Sequence, residues 1–226
     1  MDQITLKAQT QALDEEYRRV VPKDVMDIVD KSIDDLIASG IENRCLKPGN
    51  KIPEICLPDA YGKEVNIQEL LKRGPVILSF YRGGWCAFCN LELRAFQMNL
   101  ELIRGKSATL VAITPQKSHG TKKTMEEFHL DYPILTDAGN EVAKQFGIVF
   151  EHPDKLKSIF VETYNIVIPE ENGDDTYGLP LTATYVVDQE GRIIAAFTGA
   201  DYRQRMEPVE VIESLPKPHA YLEKSY

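Results

Sequence analysis

Cysteine and histidine are scarce in this chain, which contains four of each among its 226 residues. Four cysteines are too few to hold a chain of this length together as a disulfide scaffold. Long basic runs are also lacking, and the formal net charge of −9 at pH 7 argues against nucleic-acid binding, because phosphate backbones require clustered Lys and Arg. No stretch reaches the roughly 18 consecutive apolar residues of a membrane-spanning helix.

A secretion signal is missing as well, since residues 1–5 contain neither a basic segment nor an apolar one. We therefore expect a cytoplasmic location. The hydrophobic fraction of 43% and the charged fraction of 27% are those of an ordinary globular protein. In such a protein, two closely spaced cysteines indicate redox or metal chemistry.

The first 45 residues differ from the rest, and we interpret them as a helical extension (1–45) of a core domain (46–226). Apolar residues recur at helical spacing over 5–19 and 23–39, and Pro22 suits the first turn of the second helix. We expect this extension to pack on the core domain or on a second subunit. Its residues suggest no chemistry.

The core domain shows strand and helix patterns in turn. Apolar residues at 75–81 predict a buried strand, helical spacing begins at Asn90, and another buried strand follows at 108–114. This order predicts a right-handed βαβ unit with parallel strands. A hairpin at 184–197 and a last helix at 207–215 complete the order of an α/β thioredoxin fold, in which helices flank a mixed central sheet.

The segment at 148–180 has no place in that minimal fold. Residues 152–164 fit a helix, and 168–175 form an acidic loop by composition. Long insertions in compact domains are often functional. Two interpretations stay open, namely that the segment lines or covers the thiol site, or that it is a surface excursion.

Cys86 and Cys89 lie directly after the first buried strand and at the start of the following helix. Unpaired backbone N–H groups and the positive end of the helix dipole stabilise a thiolate at such a position. This lowers the pKa of a cysteine, and the thiolate is the reactive nucleophile. The pair therefore predicts a redox site.

Four collinear segments carry a resemblance to a known family. They are Lys-Pro-Gly-Asn-Lys-Ile-Pro at 47–53, Tyr-Arg-Gly-Gly-Trp-Cys-Ala-Phe-Cys at 81–89, Tyr-Pro-Ile-Leu-Thr-Asp at 132–137, and Ala-Thr-Tyr-Val-Val-Asp at 183–188. With these segments the chain resembles the peroxiredoxin-like branch of the alkyl hydroperoxide reductase and thiol-specific antioxidant family.

The resemblance implies a thiol-dependent peroxidase that reduces hydrogen peroxide or organic hydroperoxides. A sulfenate on one sulfur of the pair would be resolved as a Cys86–Cys89 disulfide. Thioredoxin, glutaredoxin or a small thiol would then recharge the pair, and no metal or organic cofactor is required. A homodimer is compatible with the helical extension and with the family, although the sequence does not show one.

Two positions depart from the family pattern. Cys86 stands where peroxiredoxins keep a Thr, and Thr182 falls near their Arg, the position of the cis-Pro of thioredoxins. We consider Arg82, Arg94 and Arg203 as replacements for that cation. Trp85 is interpreted either as a shield and partner surface or simply as a half-buried aromatic. Trp85, Thr182 and Arg82 are therefore candidate substrate- or partner-binding residues.

The identity of the attacking sulfur stays open at the level of sequence. The thioredoxin-like spacing favours Cys86, which would be the more exposed of the two at the helix start. The resemblance to the peroxiredoxin Thr-x-x-Cys pattern favours Cys89. Our hypothesis is that Cys86 attacks and Cys89 resolves.

Three other functions compete with this hypothesis. A structural zinc site requires about four Cys or His ligands, whereas the remaining candidates are scattered through the sequence, at Cys45, Cys56, His119, His129, His152 and His219. We expect Cys45 and Cys56 to be small buried residues, with Cys45 alternatively pairing between subunits. The other competitors are a thiol–disulfide oxidoreductase that acts on protein disulfides, and a catalytically weak redox-sensing or binding module.

Overall fold

The computed structural model describes residues 4–217. The first helix is capped by Thr5, whose side-chain oxygen accepts a hydrogen bond from the Ala8 N–H. The helices are α1 Leu6–Val20, α2 Lys23–Ala38, α3 Ile67–Leu71, α4 Ala87–Met98, α5 Leu100–Gly105, α6 Ser118–Phe128, α7 Glu141–Gln145, α8 Asp154–Glu162, α9 Ile168–Asn172 and α10 Pro208–Ser214.

Strands alternate with these helices through the core domain. They are β1 Cys56–Pro58, β2 Glu64–Asn66, β3 Val76–Phe80, β4 Thr109–Thr114, β5 Ile134–Thr136, β6 Val149–Glu151, β7 Gly178–Pro180, β8 Thr182–Val187 and β9 Ile193–Gly199. The central sheet has the order β5-β4-β3-β8-β9, and two small sheets are formed by β1 with β2 and by β6 with β7.

The central sheet has the mixed pairing that the sequence predicts. Strand β3 pairs in parallel with β4, and β4 with β5, whereas β8 is antiparallel to both β3 and β9. Leu78, at the middle of β3, lies opposite Val111 on one side and Tyr185 on the other. The predicted thioredoxin fold is therefore confirmed.

Two apolar layers cover the central sheet. Side chains of a strand alternate between its faces, so Leu78 packs into one layer and its neighbour Ile77 into the other. Every residue of β3 is buried, because helices cover both faces of a central strand. The end of this strand is consequently held rigidly, and the two cysteines follow it.

The helical extension and the 148–180 segment pack against one another beside the sheet. Val29 and Ile33 of α2 share an apolar cluster with Leu156 and Phe160 of α8. Helix α1 lies along α4, and Tyr17 contacts the ring of Phe88 with 5.7 Å between centroids. The division of the chain at residue 45 stays a prediction.

Two details of the sequence analysis were wrong. The acidic stretch predicted as a loop contains the short helix α9, in which Pro169 occupies the first turn and Gly173 ends the helix with a positive φ of 75°. Cys56 is exposed rather than buried, whereas Cys45 is buried as expected. No helix within residues 4–217 combines the length and apolar character needed to cross a membrane.

Candidate active site

The loop at 81–86 connects β3 to α4 and carries the first cysteine. Gly83 has no side chain, and this allows the indole of Trp85 to fold against the backbone, since a Cβ at Gly83 would overlap the indole nitrogen. Cys86 follows as the N-cap residue of α4, with extended backbone angles. Its sulfur thus lies at the positive end of a 12-residue helix, as the sequence predicts.

Arg82 contacts the sulfur of Cys86 directly. The guanidinium Nη2 donates a hydrogen bond to Cys86 Sγ at 3.0 Å, and both residues are buried. Burial alone would raise the pKa of Cys86. The Cys89 thiol, which donates to the same sulfur, and the charges of Arg82 and Arg205 outweigh burial and hold the pKa of Cys86 well below its usual range.

Aromatic rings hold Arg82 in place. Its guanidinium carbon lies 3.9 Å from the ring centroid of Tyr202 and 5.4 Å from that of Trp85. Burial disfavours the charge of Arg82, but the Cys86 and Cys89 sulfurs more than compensate, and the pKa of Arg82 is raised. Arg82 is therefore a permanent cation beside the Cys86 sulfur.

Cys89 has a different environment one turn into the helix. It is completely buried, and burial together with the neighbouring Cys86 sulfur raises its pKa well above the usual range. Arg205 Nη2 approaches Cys89 Sγ at 3.6 Å. The two sulfurs therefore differ sharply in acidity, with the thiolate on Cys86 and the thiol on Cys89.

Arg205 is anchored by a buried network. Its Nε donates to Glu92 Oε2 at 2.8 Å in an ion pair whose side chains are 1% and 2% exposed. Its Nη1 donates to Thr182 Oγ1 at 3.2 Å and also to backbone carbonyls, including that of Tyr202. Burial raises the pKa of Glu92, although the Arg205 charge opposes that shift.

A narrow cavity of about 70 Å³ leads to Cys86. Its walls are mainly apolar and come from four parts of the chain: the extension, the cysteine loop, the 148–180 segment and the 200–205 loop. The lining residues are Tyr17, Val29, Arg82, Trp85, Cys86, Ala87, Phe88, Leu156, Phe160, Tyr164, Ile166 and Tyr202. Of the two interpretations of the 148–180 segment, the structure supports the one in which it lines the thiol site.

His152 lies behind the cavity wall. Its ring packs against Phe150 and Phe160, with centroid distances of 4.8 Å and 5.0 Å, and its Nε2 has no hydrogen-bond partner within the described part of the chain. Burial, reinforced by the charges of Arg82 and Lys157, lowers the pKa of His152 to about 3. The imidazole is consequently neutral near pH 7.

The sequence matches the model of the AhpC/TSA family over residues 48–196, which is more than half of the chain. The chain belongs to the AhpC/TSA family. This match includes both cysteines, Arg82, Glu92 and Thr182, whereas Arg205 and the helical extension lie outside it.

Known proteins of this kind resemble the chain at low sequence identity. A Buchnera aphidicola protein with the provisional name peroxiredoxin bcp is 28% identical over 103 residues, which are 46% of this chain and 65% of that protein. The thiol-disulfide oxidoreductase ResA of Bacillus cereus is 19% identical over 160 residues, covering 70% of this chain and 74% of ResA. The crystal structure of peroxidoxin BcpB from Mycobacterium tuberculosis superposes with a TM-score of 0.58 at 22% identity, covering 75% and 96% of the two chains.

The fold brings together all five residues that the sequence analysis predicted for the site. Cys86, Cys89, Trp85 and Arg82 adjoin one another, and Thr182 reaches Cys89 through Arg205. Two of the cations considered as replacements for the family Arg lie elsewhere. Arg94 packs over the Phe128 ring, and Arg203 pairs with acidic residues at Asp14, Asp30 and Asp201.

Sequence reasoning missed Arg205 and the wall residues of the extension. Arg205 follows Cys89 by 116 residues and belongs to no motif, so only the fold brings it to the site. Tyr17 was assigned no chemistry, yet it lines the cavity. Within residues 4–217, no three His, Cys, Asp or Glu side chains gather as a metal site would require.

Proposed function

We propose that this chain is a thiol-dependent peroxidase that reduces hydrogen peroxide or organic hydroperoxides, with Cys86 as the attacking sulfur and Cys89 as the resolving one. An external thiol restores the dithiol after each cycle. Because this cycle requires a reducing compartment, we also propose a cytoplasmic location.

The hydrogen bond from Arg82 to Cys86 carries this proposal. A thiolate attacks one oxygen of the peroxide, the O–O bond breaks, and the leaving alkoxide or hydroxide takes up a proton to become an alcohol or water. Cys86 becomes a sulfenic acid. The Arg82 cation at 3.0 Å stabilises the attacking thiolate, and it is also positioned to stabilise negative charge that develops on the leaving oxygen.

Resolution then takes place between neighbouring sulfurs. The Cys89 sulfur attacks the sulfenic sulfur of Cys86, a disulfide forms, and the hydroxyl of the sulfenic acid leaves as water with the proton of Cys89. Arg205, at 3.6 Å from Cys89 Sγ, favours the loss of that proton. The protein needs no movement of a distant resolving cysteine, because Cys86 is the N-cap of α4 and Cys89 lies in its first turn.

A single-turnover experiment tests the assignment of the two sulfurs. The fully reduced protein, without any recycling thiol, should consume one equivalent of peroxide and form a disulfide between Cys86 and Cys89, identified by peptide mass spectrometry. The Cys89→Ser protein should stop at a sulfenate on Cys86 that a dimedone probe traps. A sulfenate that persists in the Cys86→Ser protein would refute Cys86 as the attacking residue.

A thiol–disulfide oxidoreductase that acts on protein disulfides is the second candidate. The two-residue spacing of the cysteines and the similarity to ResA favour it. Insulin reduction measured beside peroxide consumption separates the two functions, since the burial of both sulfurs predicts slow reaction with a protein disulfide. Lack of turnover in both assays would favour the redox-sensing or binding module.

A further inference from the structure

The cavity at Cys86 is small and has one charged group. The cavity volume of about 70 Å³ suits a small molecule or a narrow group, and it is far too small for a folded protein segment. Arg82 is the charged residue among the described lining residues, and none of these is acidic. The cavity therefore suits a slender group that carries negative charge.

Both sulfurs lie below the protein surface, so a partner that docks on that surface does not contact them. Cys86 is 3% exposed and Cys89 is not exposed at all. Phe160 and Tyr164 from the 148–180 segment and Tyr17 from the extension form walls above Cys86. In a folded protein, a cysteine sulfur lies only two bonds from the backbone Cα. The backbone of a protein reductant would therefore have to enter the cavity before its sulfur could reach Cys86.

Oxidation changes the charge balance at the base of the cavity. In the dithiol state, the Cys86 thiolate faces the Arg82 guanidinium at 3.0 Å. Once a disulfide has formed, this anion is gone, and the buried Arg82 cation faces uncharged sulfur and the rings of Trp85 and Tyr202. A buried cation without its anion is unfavourable, and an incoming thiolate would restore the missing charge.

We infer that the reductant of this site is a low-molecular-weight thiol, which enters the cavity as its thiolate, and that protein thiols of the thioredoxin type are excluded by the walls. This inference rests on the proposed Cys86–Cys89 disulfide as a catalytic intermediate. It assigns a role in selecting the reductant to the cavity walls, to which the extension and the 148–180 segment contribute half of the lining residues.

The reduction proceeds in two exchanges. The small thiolate attacks Cys86 Sγ, a mixed disulfide forms, and the Cys86–Cys89 bond breaks with its electron pair on Cys89, where Arg205 at 3.6 Å stabilises the leaving thiolate until it is protonated. A second thiol group then attacks the small-molecule sulfur of the mixed disulfide. The products are the oxidised small disulfide and the Cys86 thiolate.

The test starts from protein oxidised with diamide, so that it does not depend on any reaction with peroxide. Trp85 is the single tryptophan of the chain, and its fluorescence should report the redox state of the adjacent Cys86. Dithiothreitol, glutathione and reduced thioredoxin are each mixed with the oxidised protein, and second-order rate constants are measured. We expect thioredoxin to react at least tenfold more slowly than dithiothreitol, and a faster reaction with thioredoxin would overturn the inference.

A pair of matched variants tests the role of the wall. Tyr164 and Tyr177 are both half-buried and pack on the same apolar cluster, but only Tyr164 lines the cavity. Tyr164→Ala should raise the thioredoxin rate at least tenfold, and Tyr177→Ala should leave it unchanged. Equal thioredoxin rates in both variants and the parent protein would contradict the inference. Failure of the peroxide assay alone would instead refute the proposed function.

Discussion

Arg82 and Cys86 are four residues apart and are joined by a hydrogen bond of 3.0 Å from the guanidinium to the sulfur. The link closes the loop between β3 and α4 on itself and pairs a buried cation with a buried thiolate. Tyr202, far along the chain, stacks on the same guanidinium at 3.9 Å. The acidity of Cys86 thus depends on its neighbours Cys89 and Arg82 and on the charge of the distant Arg205.

Replacing Arg82 should raise the pKa of Cys86. Loss of a cation next to a thiolate shifts a pKa upward by about one pH unit or more. Arg82→Met also removes the charge that stabilises the leaving oxygen, so it should lower the rate of peroxide consumption at neutral pH by about tenfold or more. The pH dependence of ultraviolet thiolate absorbance measures the shift. Arg94→Met removes an exposed cation from α4 and serves as the control, and an identical titration in both variants would contradict the assignment.

Replacing Glu92 should destabilise the protein. Glu92→Gln leaves the buried Arg205 cation without its anion, which costs about 3 kcal/mol in the free energy of unfolding. Chemical denaturation of the reduced protein measures this loss. Glu141→Gln breaks an exposed pair with Lys144 and should cost less than about 1 kcal/mol. Similar losses of unfolding free energy in the two variants would contradict the larger contribution predicted for the buried Arg205–Glu92 pair.

His152 should make the protein sensitive to acid. Its folded pKa of about 3 lies below the ordinary value of 6.5, so the unfolded chain binds a proton at moderately acidic pH and the folded protein does not. The contribution of neutral His152 to the free energy of unfolding is therefore fully present above about pH 6.5, and it is lost as the pH falls toward about 3.

The His152→Phe variant tests this linkage, because a phenyl ring suits the packing between Phe150 and Phe160. Between pH 7 and pH 5, the parent protein should lose about 2 kcal/mol more of its free energy of unfolding than the variant does. His119→Gln, at an exposed position, should behave like the parent protein. Parallel pH profiles for the parent protein and His152→Phe would refute the prediction.

Cys56 should be the cysteine that reagents modify first outside the active site. It is exposed, while Cys45 is buried. A hydrogen bond of 3.4 Å with Glu64 raises the pKa of Cys56, so Glu64→Gln should speed its alkylation. Peptide mass spectrometry after brief treatment with iodoacetamide measures the rate, with Glu69→Gln as the control. Faster alkylation of Cys45 than of Cys56 would contradict the exposures in the structure.

Local patterns predicted most of the fold. Strand β3 was evident because a central strand is apolar throughout, and α1 and α2 were evident because each has one apolar stripe. The hairpin of β8 and β9 followed from two apolar runs around Asp-Gln-Glu-Gly at 188–191. Helix α9 was missed because its Glu and Asn side chains dominate its composition, although Pro169 and Gly173 are typical of the start and end of a helix.

By itself, the sequence determined the position of the reactive pair. Two cysteines separated by two residues, after an apolar strand and before a helix, must share the first helical turn and its dipole. Only the tertiary structure decided how the two sulfurs differ. Arg205 and Tyr202 reach the site from the far end of the chain, and Tyr17 and Tyr164 line the cavity at Cys86. The burial of each sulfur and the effect of nearby charges on its pKa depend on distances in space. For residues so far apart along the chain, sequence separation does not predict those distances.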